Sequence, residues 1–172
     1  EVVLVSGPTS LPSPAGIEYC PVTTAEEMRK AMTTRCTWSD TVIMAAAVAD
    51  FRPARPSAHK LKKRRGPITH LELEATEDIL HELSTGRTNQ VIVGFAAETD
   101  DLLAHAKEKL HAKGVDLLVA NDVTAPGSGF GADTNRVWLL TRDGDPEELP
   151  LLSKRDVADR ILDRILTLQT SR

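Results

Sequence analysis

Short, almost wholly apolar runs alternate with helix-forming stretches along this chain, and that alternation constrains its fold most. The runs are VVLVSG (2–7), TVIMAAAVAD (41–50), VIVGFAAE (91–98) and VDLLVAND (115–122). A strand with one face in water alternates apolar and polar residues. A strand without a polar face has to be covered on both sides, as in a parallel sheet between helices. Helical patterns fill the intervals. TTAEEMRKAM (23–32) has Thr23 three residues before Glu26, the spacing of a capping box. EDILHELS (77–84) is a short helix. DDLLAHAKEKLHAKG (100–114) has acids in its first turn, Lys113 in its last and Gly114 beyond it. THLELEA (69–75) alternates and predicts an exposed or edge strand, and NRVWLLTRDGD (135–145) predicts a strand entering an Asp-Gly hairpin turn. SKRDVADRILDRILTL (153–168) closes the chain as an amphipathic helix starting at Ser153. The pattern predicts one α/β domain over residues 1–172.

The 41% apolar content of these 172 residues is enough for one core. The net charge is −4, from 21 basic and 25 acidic side chains, which argues against a chain that coats nucleic acid or an anionic membrane. No apolar run reaches the roughly 18–20 residues of a membrane span, and the start lacks the basic region of a signal peptide. Cys20 and Cys36 show neither CxxC pairing nor metal spacing, and the five histidines form no ligand set. Both cysteines read as reduced thiols of a cytoplasmic protein.

Ligands of open parallel sheets bind at the carboxyl ends of the strands. The segments just past those ends are SGPTS, AAVADFRPARPSAHKLKKRR, GFAAETD and ANDVTAPGSGFG. Small residues there let a ring or a phosphate approach the backbone. The chain has neither G-x-G-x-x-G nor G-x-x-x-x-G-K-[ST], so a nucleotide is held by other means. GSGFG (127–131) reads more as a turn than as a phosphate loop. HKLKKRR (59–65) puts Lys60, Lys62, Lys63, Arg64 and Arg65 into six positions. Such runs are commonly solvated loops. This one follows a buried strand across RPARPS, whose prolines favour an extended arm able to bring mobile charges to a phosphate. Lys107, Lys109 and Lys113 lie on the next helix, the latter two on one face. A solvated face explains either of that pair alone. Asp50 and Glu98 could each take a ribose hydroxyl, or serve as charges at a helix start.

In order and spacing, AAVADF…HKLKK, GFAAET and ANDV, with VSGPTSLP and GFGADTNRVWLL, make the chain similar to the bacterial phosphopantothenate–cysteine ligase family, over nearly all 172 residues. The resemblance implies a Rossmann-like three-layer sandwich with a mostly parallel sheet and helices on both faces. It implies CTP-dependent ligation of 4′-phosphopantothenate to L-cysteine through an acyl-cytidylate, with Mg²⁺ that no dedicated protein site holds. By position, Lys60 matches the catalytic lysine of a mobile flap. Met44, Ala45 and Ala46 match the strand end beside the nucleotide, Asp50 an acid on the cytidine side and Phe95 the residue by the base. Lys109 and Lys113 match lysines that reach the nucleotide, and Asn121 stands at the neighbouring strand end. A homodimer and a flavin-dependent decarboxylase half, fused or separate, are the implied partners.

One departure matters. The family opens with a further strand, a glycine turn and an S-N-x-S-S-G-x-M-G segment, which is not found here, so a strand–turn–helix of about 50 residues is expected to be missing. The alternative of a Rossmann-like NAD(P)-binding oxidoreductase lacks the glycine fingerprint and a Tyr-x-x-x-Lys pair, Tyr19 being the lone tyrosine. For a nucleic-acid module, the aromatics do not interleave with the lysines.

Overall fold

The structure is a computed structural model that describes residues 1–60, 70–98, 101–129 and 131–171. In chain order its elements are β1 (Val3–Ser6), β2 (Glu18–Pro21), α1 (Ala25–Cys36), β3 (Thr41–Met44), β4 (Phe51–Pro53), β5 (Leu73–Ala75), α2 (Ile79–Gly86), β6 (Val91–Glu98), α3 (Leu102–Lys113), β7 (Leu117–Asp122), β8 (Thr134–Thr141), β9 (Glu147–Ser153) and α4 (Lys154–Thr170). They fall into two compact units, residues 1–31 with 47–78, and residues 32–46 with 79–172.

The second unit holds a five-stranded sheet in the order β3-β6-β7-β8-β9. β3, β6 and β7 run parallel, β8 pairs antiparallel with β7, and β9 pairs antiparallel with β8. Val91, Val93, Leu117, Val119, Val137, Leu139 and Leu149 of one face pack against Val157, Ile161 and Ile165 of α4. The other face carries α2 and α3, whose Leu83, Ala106 and Leu110 are buried. The three-layer sandwich with a mostly parallel sheet is therefore present. The apolar runs of β6 and β7 have the burial that their lack of a polar face demanded, with Ile92, Val93, Leu117 and Val119 fully enclosed.

Local chemistry sets the helix ends. Ser153 caps α4 by accepting Asp156 N–H at 3.0 Å. Gly114 closes α3 at φ 66°, where a side chain would be strained. The capping box of α1 is real but lies one residue later than expected. Thr24 Oγ1 accepts Glu27 N–H at 3.1 Å, and Glu27 Oε2 accepts the Thr24 and Thr23 N–H groups at 3.1 and 2.6 Å. The expected acids of the first turn of α3 are not in that turn. The helix starts at Leu102, after Asp101 at φ 43° with no side-chain cap.

Two strands differ from their reading. The run 41–50 yields just the four residues of β3, which forms an outer strand with Ile43 42% exposed. Its second half is alanine-rich, a poor strand former, and the strand stops at Met44. β9 was unread because Pro150 interrupts the pattern. As an outer strand it tolerates a residue with no N–H to give.

The first unit holds two small sheets. β1 and β2 pair in parallel, and β1 is half-buried along its length rather than enclosed, since β2 is its sole strand partner among the described residues. β4 and β5 form an antiparallel ribbon. No helix among the described residues is long and apolar enough to cross a membrane.

Candidate functional site

Because β3, β6 and β7 are parallel, their carboxyl ends share one sheet edge, marked by Met44, Glu98 and Asp122. Of the residues read from sequence, the structure brings Met44, Ala45, Ala46, Phe95 and Asn121 toward that edge. Met44 pairs with Gly94, and Ala45 and Ala46 follow it as exposed residues. Phe95 pairs with Val119, and Asn121 with Ala97, so Phe95 and Asn121 lie on one face of adjoining strands. Phe95 is partly buried and leans on the core under α4.

The glycine of GFAAET does not leave room for a ligand. A Cβ on Gly94 would stand 2.7 Å from Leu80 Cδ2 and 3.3 Å from Leu118 Cδ1. Gly94 is small so that α2 can seat against β6. The open small residues of this edge are instead Ala45 and Ala46.

The loop after β7 arranges the rest. Asp122 Oδ1 accepts Thr124 Oγ1–H at 2.7 Å and the N–H groups of Thr124 and Ala125 at 3.0 and 3.1 Å. The Thr124 hydroxyl, followed by these amides, holds its carboxyl below the usual range. That carboxylate serves its own loop. Gly127, Gly129 and Gly131 all have positive φ, so GSGFG is the tight turn that its sequence suggested. Ser128 Oγ lies 3.1 Å from Asn121 Oδ1 and 3.0 Å from Asn135 Oδ1. Sequence reading missed Ser128 and Asn135. The sole hint was a serine between glycines near an asparagine, which fits any polar turn.

Lys109 is exposed and Lys113 half-buried, both in the second half of α3. α3 leaves the carboxyl end of β6 and ends where β7 begins, so it carries them toward the opposite edge. There the Lys113 carbonyl accepts the Ser84 hydroxyl, and the Gly114 carbonyl accepts Arg142 Nη2–H at 2.6 Å.

Asp50 and Lys60 belong to the first unit. The Asp50 carbonyl accepts Thr76 N–H at 2.9 Å, and Thr76 Oγ1 donates to the Ala49 carbonyl at 2.6 Å, tying the feet of the ribbon together. Arg52–Glu74 (2.7 Å) and Arg55–Glu72 (2.5 Å) bridge the two strands. Lys60 is exposed beyond them, after a turn in which Ser57 Oγ donates to the His59 carbonyl at 2.7 Å. The remaining cations of the cluster, Lys62, Lys63, Arg64 and Arg65, lie outside the described residues, as does the side chain of Glu98. A hollow of about 520 Å³ in this unit is lined by Glu26, Arg29, Arg52, Thr76 and Glu77. It contains no residue assigned to a ligand from sequence, and its arginines are already paired, Arg29 with Glu26 and Arg52 with Glu74.

A mostly parallel sheet with helices on both faces, carrying small residues, an aromatic ring and a carboxamide toward the carboxyl ends of its parallel strands, defines a Rossmann-like α/β fold. Residues 1–168 match the family described as the DNA/pantothenate metabolism flavoprotein C-terminal domain. This chain belongs to that family. It is 51% identical over 168 residues to the coenzyme A biosynthesis bifunctional protein CoaBC of Bacillus subtilis, covering 97% of this chain and 41% of that protein. With CoaBC of Mycobacterium bovis it shares 42% identity over 179 residues, 97% of this chain and 42% of that protein. A crystal structure of the C-terminal domain of a CoaBC superposes with a TM-score of 0.81 at 39% identity, covering all of this chain and 78% of the other. The chain thus spans about two fifths of the length of these curated relatives.

Proposed function

We propose that this chain is the ligase part of a coenzyme A biosynthesis protein, joining 4′-phosphopantothenate to L-cysteine at the expense of CTP. The 51% identity with B. subtilis CoaBC along 97% of the chain carries this reading. The gathering of Met44, Ala45 and Ala46, Phe95 and Asn121 toward the carboxyl ends of three parallel strands agrees with it.

In the proposed course, the 4′-phosphopantothenate carboxylate attacks the α-phosphorus of CTP, and the bond to the bridging oxygen breaks to release pyrophosphate. The cysteine amine then attacks the acyl carbon of the acyl-cytidylate. CMP leaves with the bonding pair, and the nitrogen gives up its proton as the amide forms. Negative charge gathers on phosphoryl oxygens in the first step, which is where the Lys60 ammonium is assigned. Ala45 and Ala46 leave backbone accessible beside Met44. Asp50, Phe95 and Asn121 are assigned to the nucleoside, and Lys109 and Lys113 to the nucleotide on resemblance alone. Bound Mg²⁺ would offset triphosphate charge. Asp122 is committed to its own loop, and no cluster of three or more metal-ligating side chains occurs among the described residues. On the resemblance, the ion is assigned to the triphosphate oxygens. A homodimer and a flavin-dependent decarboxylase half complete the proposal, the latter in keeping with relatives that are bifunctional.

Thermal stability with CTP, ATP or NAD⁺, each with Mg²⁺, tests it, together with CMP release once 4′-phosphopantothenate and L-cysteine are added. A ligand at a hundred times its Kd raises stability by about 2.7 kcal/mol. That rise is expected with CTP, and a rise with NAD⁺ and none with CTP overturns the reading.

A further inference from the structure

The loop between β7 and β8 holds more acceptors than one hydroxyl can serve. Ser128 Oγ accepts Arg136 N–H at 3.1 Å and faces two carboxamide oxygens, Asn121 Oδ1 at 3.1 Å and Asn135 Oδ1 at 3.0 Å. The Asn135 oxygen is certain in identity, because it accepts Gly129 N–H at 2.8 Å. A serine has one proton to donate. With both oxygens turned inward, one of the two contacts has no hydrogen between its atoms.

A half-turn of the Asn121 carboxamide, which exchanges its oxygen and nitrogen in place, satisfies the whole set. Asn121 Nδ2–H then donates to Ser128 Oγ, and Ser128 donates to Asn135 Oδ1. Ser128 Oγ accepts from Arg136 and Asn121 and gives one proton, so no donor faces a donor and no acceptor an acceptor. Asn121 Oδ1 is then turned from Ser128, on a residue that pairs with Ala97 near the end of β6. Among the described residues, that outward carboxamide atom has no hydrogen-bond partner.

We propose that Ser128 is a positioning residue that holds Asn121 with its carbonyl oxygen toward the ligand edge, where it receives the exocyclic amino group of the nucleotide base. This inference rests on the nucleotide reading above and adds to it the atom that selects the base. An acceptor at that point takes a hydrogen bond from the 4-amino group of cytosine. It meets the 4-oxo group of uracil as oxygen against oxygen, leaving both unpaired.

Titration of CTP and UTP, each with Mg²⁺, onto the wild-type chain, Ser128→Ala and Ser128→Thr tests it. The wild type is expected to prefer CTP by about tenfold or more, the scale of one unpaired polar group. In Ser128→Ala the carboxamide turns freely, so UTP tightens and the preference falls toward one. Ser128→Thr keeps the hydroxyl and restores the preference. A structural role alone would weaken both nucleotides alike, and that result, or an unchanged ratio, overturns the proposal. Without ligand, exchange of the Asn121 side-chain NH₂ protons is expected to be slow in the wild type and faster in Ser128→Ala, and equal rates overturn it too. If the wild type binds neither nucleotide, the functional reading falls and takes this one with it. CTP binding with a preference insensitive to Ser128 removes this proposal alone.

Discussion

Lys60 is exposed beyond the last cross-strand bridge of the β4–β5 ribbon, so its charge can be removed without opening any packing. Lys60→Gln is expected to abolish CMP release while changing stability by less than about 0.5 kcal/mol, as surface replacements do. Unchanged turnover would refute its role. The start of α1 gives a second test. Thr24→Ala deletes the cap of Glu27 N–H and is expected to cost about 1 kcal/mol by denaturant unfolding, whereas Thr23→Ala, whose hydroxyl does not cap, costs less. Two threonines precede two glutamates here, so the spacing suits both pairs and sequence could not choose between them. The choice depends on where the backbone turns helical. Next to this box, hydrogen bonding from Arg29, with help from Lys30, holds the Glu26 carboxyl at about 2 against an ordinary 4.5. A depressed carboxyl stabilises above its unfolded value, and that contribution is lost as the pH falls through the folded one. A decline in thermal stability between about pH 4.5 and 2 is therefore expected to lose part of its steepness in Glu26→Gln.

The seating of α2 on β6 depends on Gly94, whose missing side chain is replaced by Leu80. Gly94→Ala is expected to destabilise by no more than about 1 kcal/mol, since the atom it meets is the terminal methyl of half-buried Leu80, which can turn aside, read from the urea midpoint. Trimming the neighbour in Gly94→Ala/Leu80→Ala should make the two effects less than additive. An additive double mutant would mean that the two residues do not meet. Elements whose evidence is local were legible. β6, β7, α3 and α4 follow from apolar runs and periodicity, and Gly114 and Ser153 mark ends by their own chemistry. β3 was over-read, since hydrophobicity alone does not say that Ala45 to Ala49 leave the strand. β9 was missed because Pro150 is compatible with a strand just where the ladder has a free side.

Protection across the protein should follow enclosure. Amides of Val91–Val93 and Leu117–Ala120, on strands with neighbours on both sides and helices over both faces, are expected to exchange slowest. Those of β4 and β5, whose Phe51 and Leu73 are 61% and 55% exposed, should exchange fastest among the strands. Equal protection in hydrogen exchange would contradict the division into an enclosed sheet and an open ribbon.

From its residues alone the chain declares an α/β fold, its main strands and helices, and the segments that meet at the carboxyl edge. Such information lies in neighbours a few positions apart, where periodicity and capping act. Tertiary structure decided which run is central, because strand order is a matter of long-range pairing that every apolar run permits. It turned Gly94 from a presumed ligand gap into a seat for Leu80. It carried Lys109 and Lys113 toward the opposite edge, since a helix between parallel strands must return along the sheet. It also set Ser128 between two asparagines, one seven residues before it and one seven after, where a single proton has two claimants.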